Sequence, residues 1–240
     1  AVALVFNFLR QFYSNIEYYI PDRYDEGYGV SKKSIDFAKD NGVKLIIILD
    51  CGIKAGEEIS YAKEQGIDFI ICDHHMPDAT LPDAVAVLDA KRSDSIYPYE
   101  HLSGCGVGFK FMQAFAKSNN FPFSDLEKLL ELTAVSIASD IVPITGENRI
   151  LAYYGLKQLN SNPSLGLKGI IDICELTGKE ITISDIVFKI GPRINASGRM
   201  MNGKEAVELL LSKDSASARE KSESINQYNE ERRELDKKIT

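Results

Sequence analysis

The residue types best suited to chemistry stand at the ends of two apolar runs. Asp50 closes the run 43–49, and the triplet Asp73-His74-His75 closes the run 67–72. A carboxylate and a neutral imidazole form a mixed oxygen and nitrogen ligand set, which suits Mn²⁺ and similar ions better than Ca²⁺. Only 3 histidines occur in the chain, and two of them are adjacent beside an aspartate. We predict a divalent-metal site here; the alternative is ordinary helix-capping and loop roles.

The elements that must position these residues follow from the pattern of apolar runs. Short runs rich in branched aliphatic residues, alternating with helical pattern, are typical of buried parallel strands. We predict strands over 43–50, 67–72 and 84–88, with a helix over about 31–40 before the first strand and another over about 55–65 between the first and the second. The ligand crevice of an open α/β sheet lies at the carboxyl ends of its strands. The fold class predicted is therefore α/β, with a parallel doubly wound sheet.

The regions on either side of the sheet have a different character. A helix over 1–13 and a short strand over 16–21 are predicted before it, and from about residue 103 the pattern becomes mainly helical. The stretch 214–240 contains no proline or glycine and is rich in charged residues, which predicts a long solvated helix. We divide the chain into a catalytic domain, 1–212, and a connector helix, 213–240, leading towards a domain that this chain lacks.

Three further segments contain residues that could bind an ion or a ligand. Each of them also has a purely structural interpretation. Asp140 ends an apolar helix, where the helix dipole disfavours a carboxylate unless a cation is nearby; the alternative is a solvent-facing turn. The segment 191–200 (GPRINASGRM) carries two arginines in a turn-rich stretch that could clamp a phosphate, although loop arginines are commonly solvated. The segment 103–108 presents backbone N–H groups ahead of a helix, which favours anions, or its glycines serve close packing.

Composition narrows the class of protein. With 240 residues, 44% of them hydrophobic, the chain can bury a sizeable core. A net charge of −7 argues against a surface that coats nucleic acid, but not against a nuclease with acidic metal ligands. The sequence contains no apolar run of about 18 residues, so no membrane span is predicted. The 4 cysteines lack C-x-x-C spacing, which favours reduced thiols in the cytoplasm.

Taken in order, the motifs resemble those of the DHH phosphoesterase superfamily, which is named for the triplet at 73–75. Within it they are similar to the branch of single-strand-specific exonucleases. The DHH triplet marks only the superfamily, whereas the EGYG, GVGFK and PRINASGR segments together are much more specific. The matching motifs are Asp22-Arg23, Glu26–Gly29, Leu49–Gly52, Gly106–Lys110, Ala138–Pro143, Gly146–Arg149 and Pro192–Arg199.

The resemblance implies a two-metal phosphodiesterase, dependent on Mn²⁺ or Mg²⁺, that removes nucleotides from the 5′ end of single-stranded DNA in repair and recombination. Single-strand-binding protein and a helicase are its implied partners, with no membrane involved. Asp50 would bridge both metals, His74 and Asp140 would each supply a ligand, and His75 would face the scissile phosphate. Asp73 would act with them by orienting a ligating histidine. The implied ligands of the substrate are Arg23, Arg193, Asn195, Ser197 and Arg199.

The sequence also departs from the family pattern. An Asp-x-Asp-x-Asp-Gly motif is expected just before Ala1 and is absent, and the C-terminal substrate-binding domain is missing as well. We therefore expect a fragment of a longer enzyme that is inactive, or nearly so, by itself. Two alternatives stay open: a family enzyme for small substrates, either a phosphodiesterase for short oligonucleotides or cyclic dinucleotides or an inorganic pyrophosphatase, and a non-catalytic DNA-binding scaffold. The converging ligand residues count against the scaffold.

Overall fold

A small parallel sheet forms the centre of the first half of the chain. The computed structural model describes residues 1–200 and 203–239. Strands β1 (Leu45–Leu49), β2 (Asp68–Cys72) and β3 (Ala86–Leu88) lie in the order β1-β2-β3, all parallel. The last residues of the three strands pair with one another, so their carboxyl ends meet at one edge. The predicted parallel α/β architecture is confirmed.

Helices make up most of the rest of the described chain. Three precede the second strand, and the others follow the sheet. In chain order the helices are α1 (Val2–Leu9), α2 (Lys32–Asp40), α3 (Gly56–Glu64), α4 (Gly104–Ser118), α5 (Ser124–Glu127), α6 (Leu130–Ser139), α7 (Gly146–Ser161), α8 (Leu165–Ile173), α9 (Ile183–Asp185), α10 (Gly191–Met200), α11 (Lys204–Leu210) and α12 (Ser215–Ile239).

Apolar side chains cover both faces of the sheet. On one face, Ile35 of α2 and Ile59 of α3 belong to the same buried cluster as Phe69 of β2. On the other face, α1 and α4 contribute Phe8 and Phe109 to a larger cluster that extends into the helical second half. Alternate residues of a strand point to opposite faces, so an apolar strand sandwiched in this way is buried on both.

The strand predicted over 16–21 is wrong, because the segment forms no ladder. An apolar cavity of about 320 Å³ separates its residues 16–21 from the free edge of β1, residues 45–49. A strand needs a neighbour at about 5 Å to pair its backbone groups, and the cavity holds the two segments apart. The segment therefore lies beside the sheet without forming a strand.

The stretch 191–200 also differs from the expectation, since it is helical rather than turn-rich. Helix α10 begins directly after a π-helical turn, Ile186–Ile190, and Pro192 is its second residue. Proline lacks the N–H that an α-helix requires and its ring crowds the preceding turn. A wider π turn at this point relieves that conflict, so the helix continues through the proline.

The last helix is only partly solvated. Ala218, Ser222, Ile225 and Asn229 are buried, and the helix packs against α8, α10 and α11. The part 230–238 is mostly exposed. The predicted long helix is present, but it is anchored to the domain before it becomes solvated. Within the described ranges, no helix combines the length and apolarity that spanning a bilayer would require.

Candidate metal centre

An aspartate follows each of the three strands directly. Because the strand ends pair with each other, Asp50, Asp73 and Asp89 emerge at the same edge of the sheet. Asp50 has a φ of 68°, a left-handed conformation that is uncommon outside glycine. Its N–H still donates to the carbonyl of Cys72 at 2.8 Å, so β2 holds it in this conformation. The strained backbone turns the carboxylate away from the strand direction.

Ligand atoms of Asp50, His74 and His75 converge at this edge. One such atom from each residue lies within 4.8 Å of the others. Asp50 Oδ1 is shielded from solvent and lacks a well-formed hydrogen bond within the described residues, although His74 Nε2 is 3.1 Å away. An octahedral cation with bonds of about 2.1 Å holds neighbouring ligand atoms about 3 Å apart. The separation therefore fits a divalent cation.

The electrostatic surroundings of His74 also favour a positive charge. Its side chain is 14% exposed, whereas that of Asp50 is 42% exposed and opens the site to solvent. Contact with the Asp50 carboxylate raises the pKa of His74 above its ordinary value, although burial opposes this. The negative charge of Asp140 contributes in the same direction. A cation at this position would satisfy both carboxylates.

Asp73 has a different environment, because the protein itself satisfies its carboxylate. Oδ1 accepts from the N–H groups of His74 and His75 at 2.7 and 3.2 Å and lies 2.7 Å from His75 Nδ1, while Oδ2 accepts from Ile53 N at 3.0 Å. Burial would raise the pKa of Asp73, but these hydrogen bonds outweigh it and hold the pKa below its usual value. Because Nδ1 of His75 contacts Asp73, Nε2 is the ring nitrogen left for other contacts. The His75 side chain is 59% exposed.

Asp140 lies near this group without joining the three converging ligand atoms. It follows the last residue of α6, and Ser136 Oγ donates to its Oδ2 at 3.0 Å. Burial, together with the negative charge of Asp50, raises the pKa of Asp140. The next residue, Ile141, has a φ of 54° and is 80% exposed, which is unusual for a β-branched residue. Backbone strain thus marks both Asp50 and the segment beside Asp140.

The start of α4 supports the Asp50 carboxylate from the other side. A Cβ placed on Gly104 would lie 1.8 Å from Asp50 Oδ1 and 2.3 Å from its Cγ, so only glycine fits there. Ser103 caps the helix by accepting a hydrogen bond from Gly106 N at 3.1 Å. At Gly104 the structure therefore supports the interpretation that the glycines of the segment 103–108 serve close packing.

Two residues at the edge were not predicted. Asp89 is 6% exposed; its Oδ1 accepts from Lys91 N at 2.8 Å, and its Oδ2 has no hydrogen-bond partner within the described residues. Lys91 Nζ donates to the carbonyl of His74 at 2.5 Å. Burial raises the pKa of Asp89, and the charge of Asp73 adds to this. The available signal was an aspartate after a third apolar run, the same pattern that identified Asp50.

The predicted substrate ligands occupy separate positions. Arg23 is exposed, with its guanidinium carbon 4.8 Å from the centre of the Tyr28 ring, and a Cβ on Gly198 of α10 would lie 3.5 Å from its Nη2. Arg193 Nε donates to Asn226 Oδ1 of α12 at 2.8 Å. Asn195 is exposed, whereas Ser197 is fully buried and does not reach the surface. The side chain of Arg199 lies outside the described residues.

The cysteines nearest the centre have no reactive character. Burial raises the pKa of Cys51 and of Cys72 to about 12, so both thiols are protonated at neutral pH. All four cysteines are unpaired. A thiolate is the form that attacks or ligates, so these residues supply neither a nucleophile nor a metal ligand. The converging carboxylate and imidazoles are therefore the candidate ligands of this edge.

A parallel sheet with an aspartate and a DHH triplet at its carboxyl edge defines a class of protein. Residues 1–137 match the DHH family, N-terminal domain, and the chain belongs to this family. Among curated proteins it is similar to the single-stranded-DNA-specific exonuclease RecJ of Bacillus subtilis (strain 168), with 38% identity over 240 residues, covering 100% of this chain and 30% of that protein. RecJ of Haemophilus influenzae (strain ATCC 51907 / DSM 11121 / KW20 / Rd) is 35% identical over 240 residues, covering 95% of this chain and 41% of that protein.

A solved structure gives the same result for the fold. A crystal structure of exonuclease RecJ bound to manganese superimposes with a TM-score of 0.89 at 28% identity, covering 99% of this chain and 60% of that one. The chain thus spans less than half the length of the two curated relatives above. The superfamily predicted from the motifs is confirmed, together with the predicted similarity to single-strand-specific exonucleases.

Proposed function

We propose that the protein to which this chain belongs is a metal-dependent exonuclease that hydrolyses single-stranded DNA from its 5′ end. The observation that carries the proposal is the convergence of Asp50, His74 and His75, whose ligand atoms lie within 4.8 Å of one another. Relatives named as single-stranded-DNA-specific exonucleases match over the whole of this chain, which supports the same substrate. A relative bound to manganese supports Mn²⁺, or the similar Mg²⁺, as the cofactor.

The roles of the central residues follow from their surroundings. Asp50 and His74 would hold the cation, with Asp140 as a neighbouring carboxylate that would add a further ligand. Asp73 is fully bonded within the protein, so it acts by orienting His75, whose exposed Nε2 donates to the substrate phosphate. When bound, divalent cations neutralise phosphoryl charge and lower the pKa of water. A dedicated serine or cysteine nucleophile is then unnecessary.

The substrate strand follows the exposed basic residues near α10. Arg23 is free to reach a phosphate, and Asn195 lies on the exposed side of the helix. Arg199 stays a proposed phosphate ligand on the same helix. Arg193 is bonded to α12, and we propose that it contacts substrate from that tethered position. Ser197 is buried and supports the helix instead of the DNA.

The domain division and the biological setting are proposals of the same kind. We propose that residues 1–212 form the catalytic unit and that 213–240 connect it to a further substrate-binding domain. Single-strand-binding protein and a helicase are proposed partners, because they generate and present single-stranded DNA. The unpaired cysteines are compatible with the reducing cytoplasm, which is the proposed location.

The test is an Asp50→Asn variant of the complete protein, assayed with Mn²⁺ on a single-stranded oligonucleotide labelled at its 3′ end. Removing the carboxylate charge should lower the rate at least about 1000-fold, because metal chemistry supplies most of the barrier reduction. The matched control is Asp68→Asn, an exposed aspartate at the opposite end of β2. The control should keep full activity, and both variants should unfold close to the wild-type temperature.

Other outcomes identify the alternatives. Equal rates for Asp50→Asn and wild type would refute the metal assignment. Hydrolysis of dinucleotides or cyclic dinucleotides without hydrolysis of long strands would indicate a small-substrate phosphodiesterase. DNA binding without hydrolysis in any metal would indicate a scaffold. Assaying the 240-residue chain beside the complete protein tests the expectation that this chain alone is inactive or nearly so.

A further inference from the structure

A second cavity lies beside the metal centre and has no role in the function proposed so far. It is formed by residues 90–101, between β3 and α4, and has a volume of about 580 Å³. We call it the 90–101 cleft. Its walls include Lys91, Arg92, Tyr97, Tyr99 and His101. Sites for small ligands commonly enclose about 300–1,000 Å³, so a single nucleotide falls within its capacity.

One wall of the cleft is tied to the DHH triplet. Asp89, which is buried at the end of β3, accepts a hydrogen bond from Lys91 N at 2.8 Å and so fixes the backbone of the turn. The Lys91 ammonium then donates to the carbonyl of His74 at 2.5 Å. An ammonium carries three donors, and this contact uses one of them. Arg92 is different, because its guanidinium is engaged by the Val87 carbonyl and Asp94.

The opposite wall is tied to the segment that follows Asp140. Tyr99 Oη donates to the carbonyl of Pro143 at 3.0 Å, and Asn148 Nδ2 donates to the carbonyl of His101 at 2.6 Å. A Cβ on Gly146 would lie 2.6 Å from the Tyr99 ring, so this wall packs closely on the start of α7. The rings of Tyr99 and His101 meet edge to face at 5.6 Å. The walls of the cleft are thus hydrogen-bonded to both segments that carry proposed metal ligands.

We propose that the 90–101 cleft binds one nucleotide of the substrate, with Lys91 on its phosphate and the Tyr99 and His101 rings against its sugar and base. This inference rests on the proposed function, because the cleft is useful to a nuclease whose metal centre lies next to it. A lysine supplies a point charge for phosphate, and aromatic rings provide apolar contact with any base without selecting its sequence. The chain carries a net charge of −7, so a local cation is needed to retain a phosphate.

The test uses the complete protein with Mn²⁺ and measures the inhibition constant of thymidine 5′-monophosphate during hydrolysis of single-stranded DNA. Lys91→Met should raise this constant by about 10-fold or more, the effect of losing one charge-assisted hydrogen bond. Lys91→Arg should restore most of the affinity. The matched control is Lys44→Met, an exposed lysine just before the amino end of β1, which should leave the inhibition constant unchanged.

A merely structural role for Lys91 predicts a different result. If Lys91 only braced the DHH turn, Lys91→Met would weaken Mn²⁺ binding, measured by calorimetry, and leave the inhibition constant unaltered. Either that pattern or an unchanged constant with normal Mn²⁺ affinity overturns the proposal. Should the wild-type protein hydrolyse no DNA, the proposed function fails. Calorimetric titration of thymidine 5′-monophosphate into wild type and Lys91→Met then tests nucleotide binding in the cleft separately. Equal affinities of the two proteins would refute the proposed role of the cleft.

Discussion

Replacing Gly104 with alanine should damage the metal centre while leaving the fold largely intact. The added Cβ would lie 1.8 Å from Asp50 Oδ1, and contacts below 3.0 Å are essentially never found. The carboxylate would therefore have to move by about 1.2 Å or more. Asp50 cannot absorb this freely, because its φ is already 68° and its N–H is bonded to Cys72. A displacement of this size is enough to cost about 100-fold in rate.

The matched control lies two residues further along the same helical turn. A Cβ on Gly106 would approach no neighbour closer than 3.4 Å, so Gly106→Ala keeps the site and gains helix propensity. We expect Gly104→Ala to lose at least about 100-fold in DNA hydrolysis and to bind Mn²⁺ measurably more weakly in calorimetry. Its unfolding free energy should drop by about 1–3 kcal/mol, the usual range for an overpacked contact. Retention of wild-type Mn²⁺ affinity and rate by Gly104→Ala would refute the geometry described here.

Two further predictions concern stability. Glu131 is 1% exposed, and burial raises its pKa to about 7. In the unfolded chain the same carboxyl releases its proton near 4.5. The free energy of unfolding should therefore fall by about 3 kcal/mol as the pH rises from 4.5 to 7. Glu131→Gln should flatten that dependence in denaturant titrations and be the more stable protein at pH 8, and an unchanged pH profile would contradict the assignment. Gly155→Ala should lower the unfolding free energy by about 2–3 kcal/mol, because the Cβ would lie 2.3 Å from the Leu130 carbonyl oxygen between α7 and α6. Gly56→Ala, whose Cβ meets nothing within 4 Å, is its control, and equal denaturation midpoints for the two variants would refute the close approach.

Local pattern predicted the sheet well, because each strand is a short apolar run ended by a polar residue. The same reasoning failed for 16–21, since whether an extended segment forms a strand depends on which edge it meets, and that is decided by tertiary packing. It failed again for 191–200, where proline, asparagine and glycine indicate turns. There the preceding π turn accommodates Pro192 and the helix continues, a feature without a local sequence signal.

The proposed ligand residues were predictable by type and position, whereas the residues that contact them were not. Asp50 and the triplet at 73–75 stand at strand ends, and the topology of a parallel sheet brings strand ends together. Gly104 and Lys91 act through contacts with residues far away in the chain, at Asp50 and His74 respectively. Such contacts depend on how α4 and the 90–101 cleft pack against the sheet. No spacing rule in the sequence encodes them.

Two of the three strand-end aspartates show why we propose a cation, rather than structural capping alone, at this edge. A capping aspartate uses its oxygens on backbone N–H groups, and Asp73 does this fully. Asp50 has the same position on the neighbouring strand, but its shielded Oδ1 faces the imidazole of His74 without a well-formed hydrogen bond. The nearby charge of Asp140 makes that arrangement less favourable still. A fold that satisfies one strand-end carboxylate completely, and holds the next in a strained backbone conformation among like charges, has kept the second one available for a positive ion.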